Sequence, residues 1–356
     1  MAHERAIALR VAGRFATAER ACRRALAGYE VGEGRRHPDV ANALCELGVI
    51  LEARDRPRDA AACHRRAIAI LKPLVGSENG DPDLLRLALQ ARIALCGLDR
   101  ARGALAAADR GYHKALSEAR RRLPPRDPLI GSLLNNLGVL RKAQGRYSEA
   151  LAFYRRALPL VPRGDREARA TLEHNLGGSE HARGRYVQAE PHARRSVALR
   201  SAALGPHHPA VAADLAALAA IVEARGRFDE AARLYRQALA VFRRKLGPAS
   251  LELGLGVASL AALEQQRGRF SRARPLYARA LAILERLLGK DHPDVAMTVN
   301  NLAVLERDAG RLARARAGFR RAFASFQRML GPRHPHTRLA RDNSRAVLKR
   351  GASIRR

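Results

Sequence analysis

Gly145-Arg146-Tyr147-Ser148-Glu149-Ala150, continuing to Ala157-Leu158, decides how the chain is read, because its skeleton keeps returning. The Gly-Arg-aromatic start recurs as Gly184-Arg185-Tyr186, Gly226-Arg227-Phe228 and Gly268-Arg269-Phe270, with weaker copies from Gly13, Asp55, Gly103 and Gly310. The gaps between these eight anchors are 42, 48, 42, 39, 42, 42 and 42 residues. A fixed period of this length is the signature of a repeat array.

Counting from each anchor exposes the packing. Five residues on, every copy has alanine (Ala18, Ala60, Ala108, Ala150, Ala189, Ala231, Ala273, Ala315), and twelve on seven have alanine and one Ser196. Seven before, the residue is always small, from Ala6 and Gly48 to Ala303; eight before, seven of eight are leucine. Small residues at fixed places let two helices approach, and leucine fills the space between them. Ten of the fifteen aromatics fall two or nine residues after an anchor, which reads as core and not as a set of stacking platforms.

Each unit therefore reads as a helical hairpin. Leu133, Leu134, Leu137 and Leu140 are spaced for one face of a first helix (helix A), from about Pro128 to Gln144. Gly145 supplies the turn, since glycine accepts the left-handed conformation that ends a helix. A second helix (helix B) follows from about Ser148 to Leu160. Between units, Leu-Gly-x-x-His-Pro turns (Leu204–Pro209, Leu288–Pro293, Leu330–Pro335) place proline at a helix start, where its missing N–H costs nothing.

This framework resembles the tetratricopeptide repeat. The 42-residue period, with Leu134-Asn135-Asn136-Leu137 and His292-Pro293-Asp294-Val295-Ala296, is similar to the kinesin-light-chain subtype. The expected fold is all-α: a right-handed α-solenoid of about eight helix-turn-helix units over residues 1–351, with a capping helix at about 334–350 and a basic tail at 352–356. The kinesin-type N-terminal coiled coil is not found ahead of the first repeat helix, so motor attachment is not implied. Two irregular joins stand out: the third unit's expansion around Gly76, Asn79, Gly80 and Pro82, and the fifth unit's start, where Pro159 and Pro162 replace His-Pro.

The resemblance implies a concave side lined by A helices that receives an extended peptide. The polar residues off the leucine face are Asn42, Asn135, Asn136, Asn175, Asn300 and Asn301. Asparagine is a poor helix-interior residue, and its amide can pin a peptide backbone or bond within the scaffold; both roles stand open here. Lys142, His181 and Arg307 share one further repeat position and favour an acidic ligand, whereas Glu52, Glu223 and Gln265 occupy it elsewhere. Ala216, Ala217, Ala258 and Ser259 leave room for an apolar anchor. The expected function is a protein or peptide-binding scaffold.

Charge supplies the alternative. Lys+Arg number 66 against 34 Asp+Glu, a formal net charge of +32, and only six of the 66 are lysine. Arg23-Arg24, Arg65-Arg66, Arg155-Arg156, Arg194-Arg195 and Arg320-Arg321 recur on helix B. They read either as a solvated face or as a stripe for nucleic acid or acidic membrane, whose binding would fall about 10³–10⁵-fold between 50 and 200 mM salt. Enzyme chemistry finds no support: Gly254-x-Gly256 lies inside a helix, and no nucleophile–base or HExxH spacing occurs. Cys22, Cys45, Cys63 and Cys96 form no CxxC pair, so neither a disulfide framework, a metal site nor a cofactor is expected. With no long apolar run and no signal-like start, the expected location is cytoplasmic.

Overall fold

A computed structural model describes residues 2–76 and 81–353, with 347–353 described as backbone alone. Asn79 and Gly80 of the third unit's expansion, and residues 354–356 of the tail, lie outside the described residues. Among those described there are 17 α-helices and no strand. The chain divides into two compact units, Met1–Asp165 and Arg166–Arg356. The division falls at the fifth hairpin's irregular start, after the Leu158–Leu160 3-10 turn, and not at the third unit's expansion.

The first unit holds four hairpins: α1 (Ala2–Val11) with α2 (Phe15–Gly32), α3 (Pro38–Ala53) with α4 (Pro57–Leu74), α5 (Pro82–Ala101) with α6 (Leu105–Arg122), and α7 (Pro128–Ala143) with α8 (Tyr147–Ala157). The second holds four more: α9 (Arg166–Ala182) with α10 (Tyr186–Leu204), α11 (Pro209–Ala224) with α12 (Phe228–Leu246), α13 (Leu251–Gln266) with α14 (Phe270–Leu288), and α15 (Pro293–Asp308) with α16 (Leu312–Leu330). A last helix, α17 (Pro335–Ser353), packs on α16 and α15. Within each unit consecutive A helices also touch one another (α3–α5–α7; α9–α11–α13–α15), while B helices form no such series. The A helices are thus the closer-packed layer.

The periodic alanines of the B helices set how closely each packs on its A helix. All eight at the fifth position after the anchor are 0% exposed. Ser196, the one exception at the twelfth position, keeps its hydroxyl satisfied by donating to the Ala170 carbonyl at 3.0 Å. The two aromatic slots differ. Tyr112, Tyr154, Tyr235, Tyr277 and Phe319 are buried, whereas Phe15, Tyr147, Tyr186, Phe228 and Phe270 are only half-buried, so the second slot alone is core. A Cβ added at Gly138 would collide with the Tyr154 ring, which is why the position seven before the anchor stays small.

Turns and caps follow from local chemistry. Gly145 has φ +75°, and the Arg146 N–H donates to the Arg141 carbonyl at 2.9 Å, closing the helix end. Asp55 occupies the same turn at φ +56°, the one non-glycine residue with positive φ among those described. The histidines before proline act as N-caps: Nδ1 of His37, His208, His292 and His334 each accepts a backbone N–H two residues on, at 3.2–3.3 Å. Asp81 and Asp127 do the same with a carboxylate oxygen, at 2.8 and 2.9 Å.

Candidate functional site

Sequence position relative to the anchor identifies the exposed stripe of helix A. Six residues before the anchor stand Ile7, Val49, Gly97 and Val139 in the first unit, and Gly178, Ala220, Ala262 and Val304 in the second. Val49 is 40% exposed and the others are half-buried, yet none of the eight is polar. Ala262 and Val304 also touch the core beneath, so this half-open position, apolar or glycine in every copy, borders both the core and solvent. None of these residues carries a polar group that would mark it in the sequence. The row's signal was available, however, in the same repeat alignment.

Beside it runs the row three before the anchor: Arg10, Glu52, Arg100 and Lys142 in the first unit, then His181, Glu223, Gln265 and Arg307 in the second. Glu52, Glu223 and Gln265 reach the ring that helix B supplies twelve residues later. Glu52 Oε1 lies 3.0 Å from His64 Nε2, the Tyr235 hydroxyl donates to Glu223 at 3.1 Å, and the Tyr277 hydroxyl donates to Gln265 at 3.0 Å. Burial raises the Glu223 carboxyl above its ordinary value, with hydrogen bonds from Tyr235 and Gln266 opposing. Burial likewise lowers the Lys142 ammonium below its ordinary value. His181 is half-buried against the Tyr186 ring at 5.4 Å, and Arg307 Nε bonds to Asp308 at 2.9 Å.

The asparagines part company. Asn42 is exposed on α3; Asn135 and Asn136 are half-buried on α7, Asn175 on α9 and Asn301 on α15. Asn136 donates to the carbonyl of Ser132 one turn back, at 2.9 Å. Asn300 is 3% exposed and accepts from Asn343 Nδ2 of α17 at 3.2 Å, so this amide joins the capping helix to the array. The first unit thus gathers Asn135, Asn136 and Lys142 on one helix, and the second gathers Asn301 and Arg307 on another. His174 turns away to Asp214, which Arg200 also holds at 2.7 Å. Among the described residues no three His, Cys, Asp or Glu side chains gather as a metal would need, and the four thiols are free. Burial pushes Cys22 and Cys45 up to about 12.

Much of the arginine excess is consumed inside the array. Arg225 and Arg227 flank the Gly226 turn and both grip Glu190 of the preceding hairpin, with Arg194 joining them. Burial works against ionisation of Glu190, but hydrogen bonds from Arg194, Arg227 and Arg225 hold its carboxyl down at about 2. Arg54 and Arg56 clamp Glu19 in the same way in the first unit. Later hairpins take the carboxylate from helix A instead: Glu264 meets Arg236, Arg267 and Arg269, and Glu306 meets Arg274 and Arg311. Of the ten paired helix-B arginines, Arg23, Arg66, Arg194, Arg195 and Arg321 already have carboxylate partners.

A hairpin array with a repeated small, apolar, half-exposed row and no clustered reactive groups among the described residues defines a protein-interaction scaffold. The family model of the tetratricopeptide repeat matches residues 1–72, 87–163, 168–244 and 255–328, and the chain belongs to that family. No curated protein matches the chain in sequence. In structure it is similar to the apo form of the quorum sensor NprR from B. thuringiensis, with a TM-score of 0.65 at 14% identity over 91% of this chain and 86% of that one. It is also similar to Rap protein complexed with Competence and Sporulation Factor, with a TM-score of 0.54 at 13% identity over 94% and 99% of the two chains. A tetratricopeptide repeat protein from Parabacteroides merdae gives a TM-score of 0.56 at 14% identity, over 86% and 98%. At these identities the likeness establishes the fold. No helix among the described residues is long and apolar enough to cross a membrane.

Proposed function

We propose that the chain is a non-catalytic cytoplasmic scaffold that grips a peptide-like segment of a protein partner along its helix-A faces. The observation that carries this reading is the row six before each anchor, apolar or glycine in all eight hairpins and half-exposed or exposed throughout. Such a floor accepts apolar side chains, and its polar margin (Asn42, Asn135 and Asn136 with Arg100 and Lys142; Asn175 and Asn301 with His181 and Arg307) offers amides to a backbone and cations to acidic flanks. The partner segment is accordingly acidic residues around a hydrophobic anchor. Rap, solved in complex with Competence and Sporulation Factor, shares the fold and lends support as a protein with a bound factor.

The polyanion reading is weakened by the carboxylates that already pair with Arg23, Arg66, Arg194, Arg195 and Arg321. The test is selection of a random-peptide display library on the protein, followed by calorimetric titration of the winning peptides. Val139→Glu and Ala262→Glu should abolish binding and leave helicity intact. Asn135→Ala with Asn301→Ala should weaken it. Peptides that bind the two glutamate variants as well as the parent would remove the helix-A faces from the account.

A further inference from the structure

A second kind of site lies away from the helix-A row. Between α10 and α12, over the loop into α11, is a cavity of about 740 Å³. Its floor is Val197, Val211, Leu215 and Val241, and its rim carries His207, Arg243 and Arg244. The same repeat positions build two more cavities in the first unit. One, of about 550 Å³ between α6 and α8, has Ile130, Leu134 and Leu160 where the first has Val211, Leu215 and Val241, and is rimmed by Arg120, Arg155 and Arg156. The other, of about 710 Å³, has Ile70 and Pro73 beside Arg35, Arg36 and Arg66. Three copies at matching positions are a property of the repeat, with B helices standing too far apart to close the gap themselves.

The eighth hairpin shows what such a place accepts. Asp291 there holds the position that His207 holds in the sixth hairpin and Arg36 in the second. Its carboxylate takes Arg328 and the Ser325 hydroxyl, the latter at 3.1 Å, and Glu285 takes Arg321 nearby. Arg244 is the sixth hairpin's counterpart of Arg328. With a histidine in place of the aspartate, neither Arg244 nor Arg243 has a carboxylate partner among the described residues, and Arg35, Arg36 and Arg120 are in the same position. Where the chain supplies the acid, the arginine is paired in cis; in the sixth hairpin, where it does not, Arg243 and Arg244 stand beside an aliphatic floor.

We infer that these crevices are docking sites for an acidic segment of a protein partner, which places a carboxylate on the arginine rim and an aliphatic side chain on the floor. The sixth hairpin's crevice is the principal one. The chemistry argues against nucleic acid as the occupant: a phosphate backbone would satisfy the rim but has no aliphatic group for a floor of three valines and a leucine. This site is separate from the helix-A row, and the two readings stand or fall independently.

The test uses a synthetic peptide of alternating glutamate and leucine, polyglutamate of equal length, and oligothymidylate as probes on the full chain. Methyl signals of Val197, Val211 and Val241 report this crevice alone. The glutamate–leucine peptide should shift them at a lower concentration than either other probe. His207→Asp, which copies the eighth hairpin and gives Arg244 an internal partner, should weaken that binding by about ten-fold or more, and Arg244→Gln should do the same. Both residues face solvent, so circular dichroism should be unchanged. Val139→Glu should leave the titration as it was. Tighter binding of oligothymidylate, or an undiminished response in His207→Asp, would overturn the inference.

Discussion

The seams between hairpins and the exposed row of helix A solve opposite problems with the same repeat. At the seam around Gly226, three arginines converge on Glu190, which is 6% exposed, and every charge has found a partner. Along the helix-A row the side chains are isoleucine, valine, alanine or glycine, half-buried or exposed, with no charge to pair. The first arrangement fixes how one hairpin sits on the next. The second leaves surface unspent, and surface left unspent at the same place in eight copies is available to a partner. The closed seams are where substitutions should cost stability, and the open row is where they should cost binding.

The largest effect should come from stranding the seam carboxylate. Arg225→Ala with Arg227→Ala leaves Glu190 without two of its three arginine partners, and the largest stability loss of the series is expected in urea unfolding. The contribution is also pH-dependent. The folded carboxyl titrates at about 2 against an ordinary 4.5, so the stabilisation is complete above pH 4.5 and fades as the pH falls through 2. Glu190→Gln should flatten that acid limb. A double arginine variant as stable as the parent would show that the seam is held by packing alone.

Gly138→Ala should come next, at about 1–3 kcal/mol, because the added methyl meets the Tyr154 ring. His292→Ala removes the cap of α15 and should cost about 1 kcal/mol, whereas His292→Asp should be near neutral, since Asp127 already serves that role on α7. Val139→Gln sits at the small end. Thermal unfolding should move little, within about 0.5 kcal/mol, while affinity for display-selected peptides falls. A large stability loss there would mean that the row belongs to the core.

Most of the fold was legible in the sequence, since a period of 42 residues fixes which alanines are buried and which glycines must turn. Asp55 shows how firmly: an aspartate is pulled to φ +56° because the repeat places it at the turn. The seams were less visible. Arg225 and Arg227 look like composition until the carboxylate 35 and 37 residues earlier is seen to meet them. Asn300 sits at the same repeat position as Asn135, and only the packing of α17 and Asn343 over it reveals a structural amide. The helix-A row escaped because valine, alanine and glycine carry no chemistry of their own, and their meaning lies in staying apolar where the surface is half open.

One measurement bears most directly on the helix-A account. A display-selected peptide carrying a photoreactive group at its apolar anchor can be crosslinked to the protein and the attachment points mapped. Attachment on α7, α13 or α15, at or beside Val139, Ala262 or Val304, is the expected result. Attachment confined to α8, α14 or α16 would contradict it.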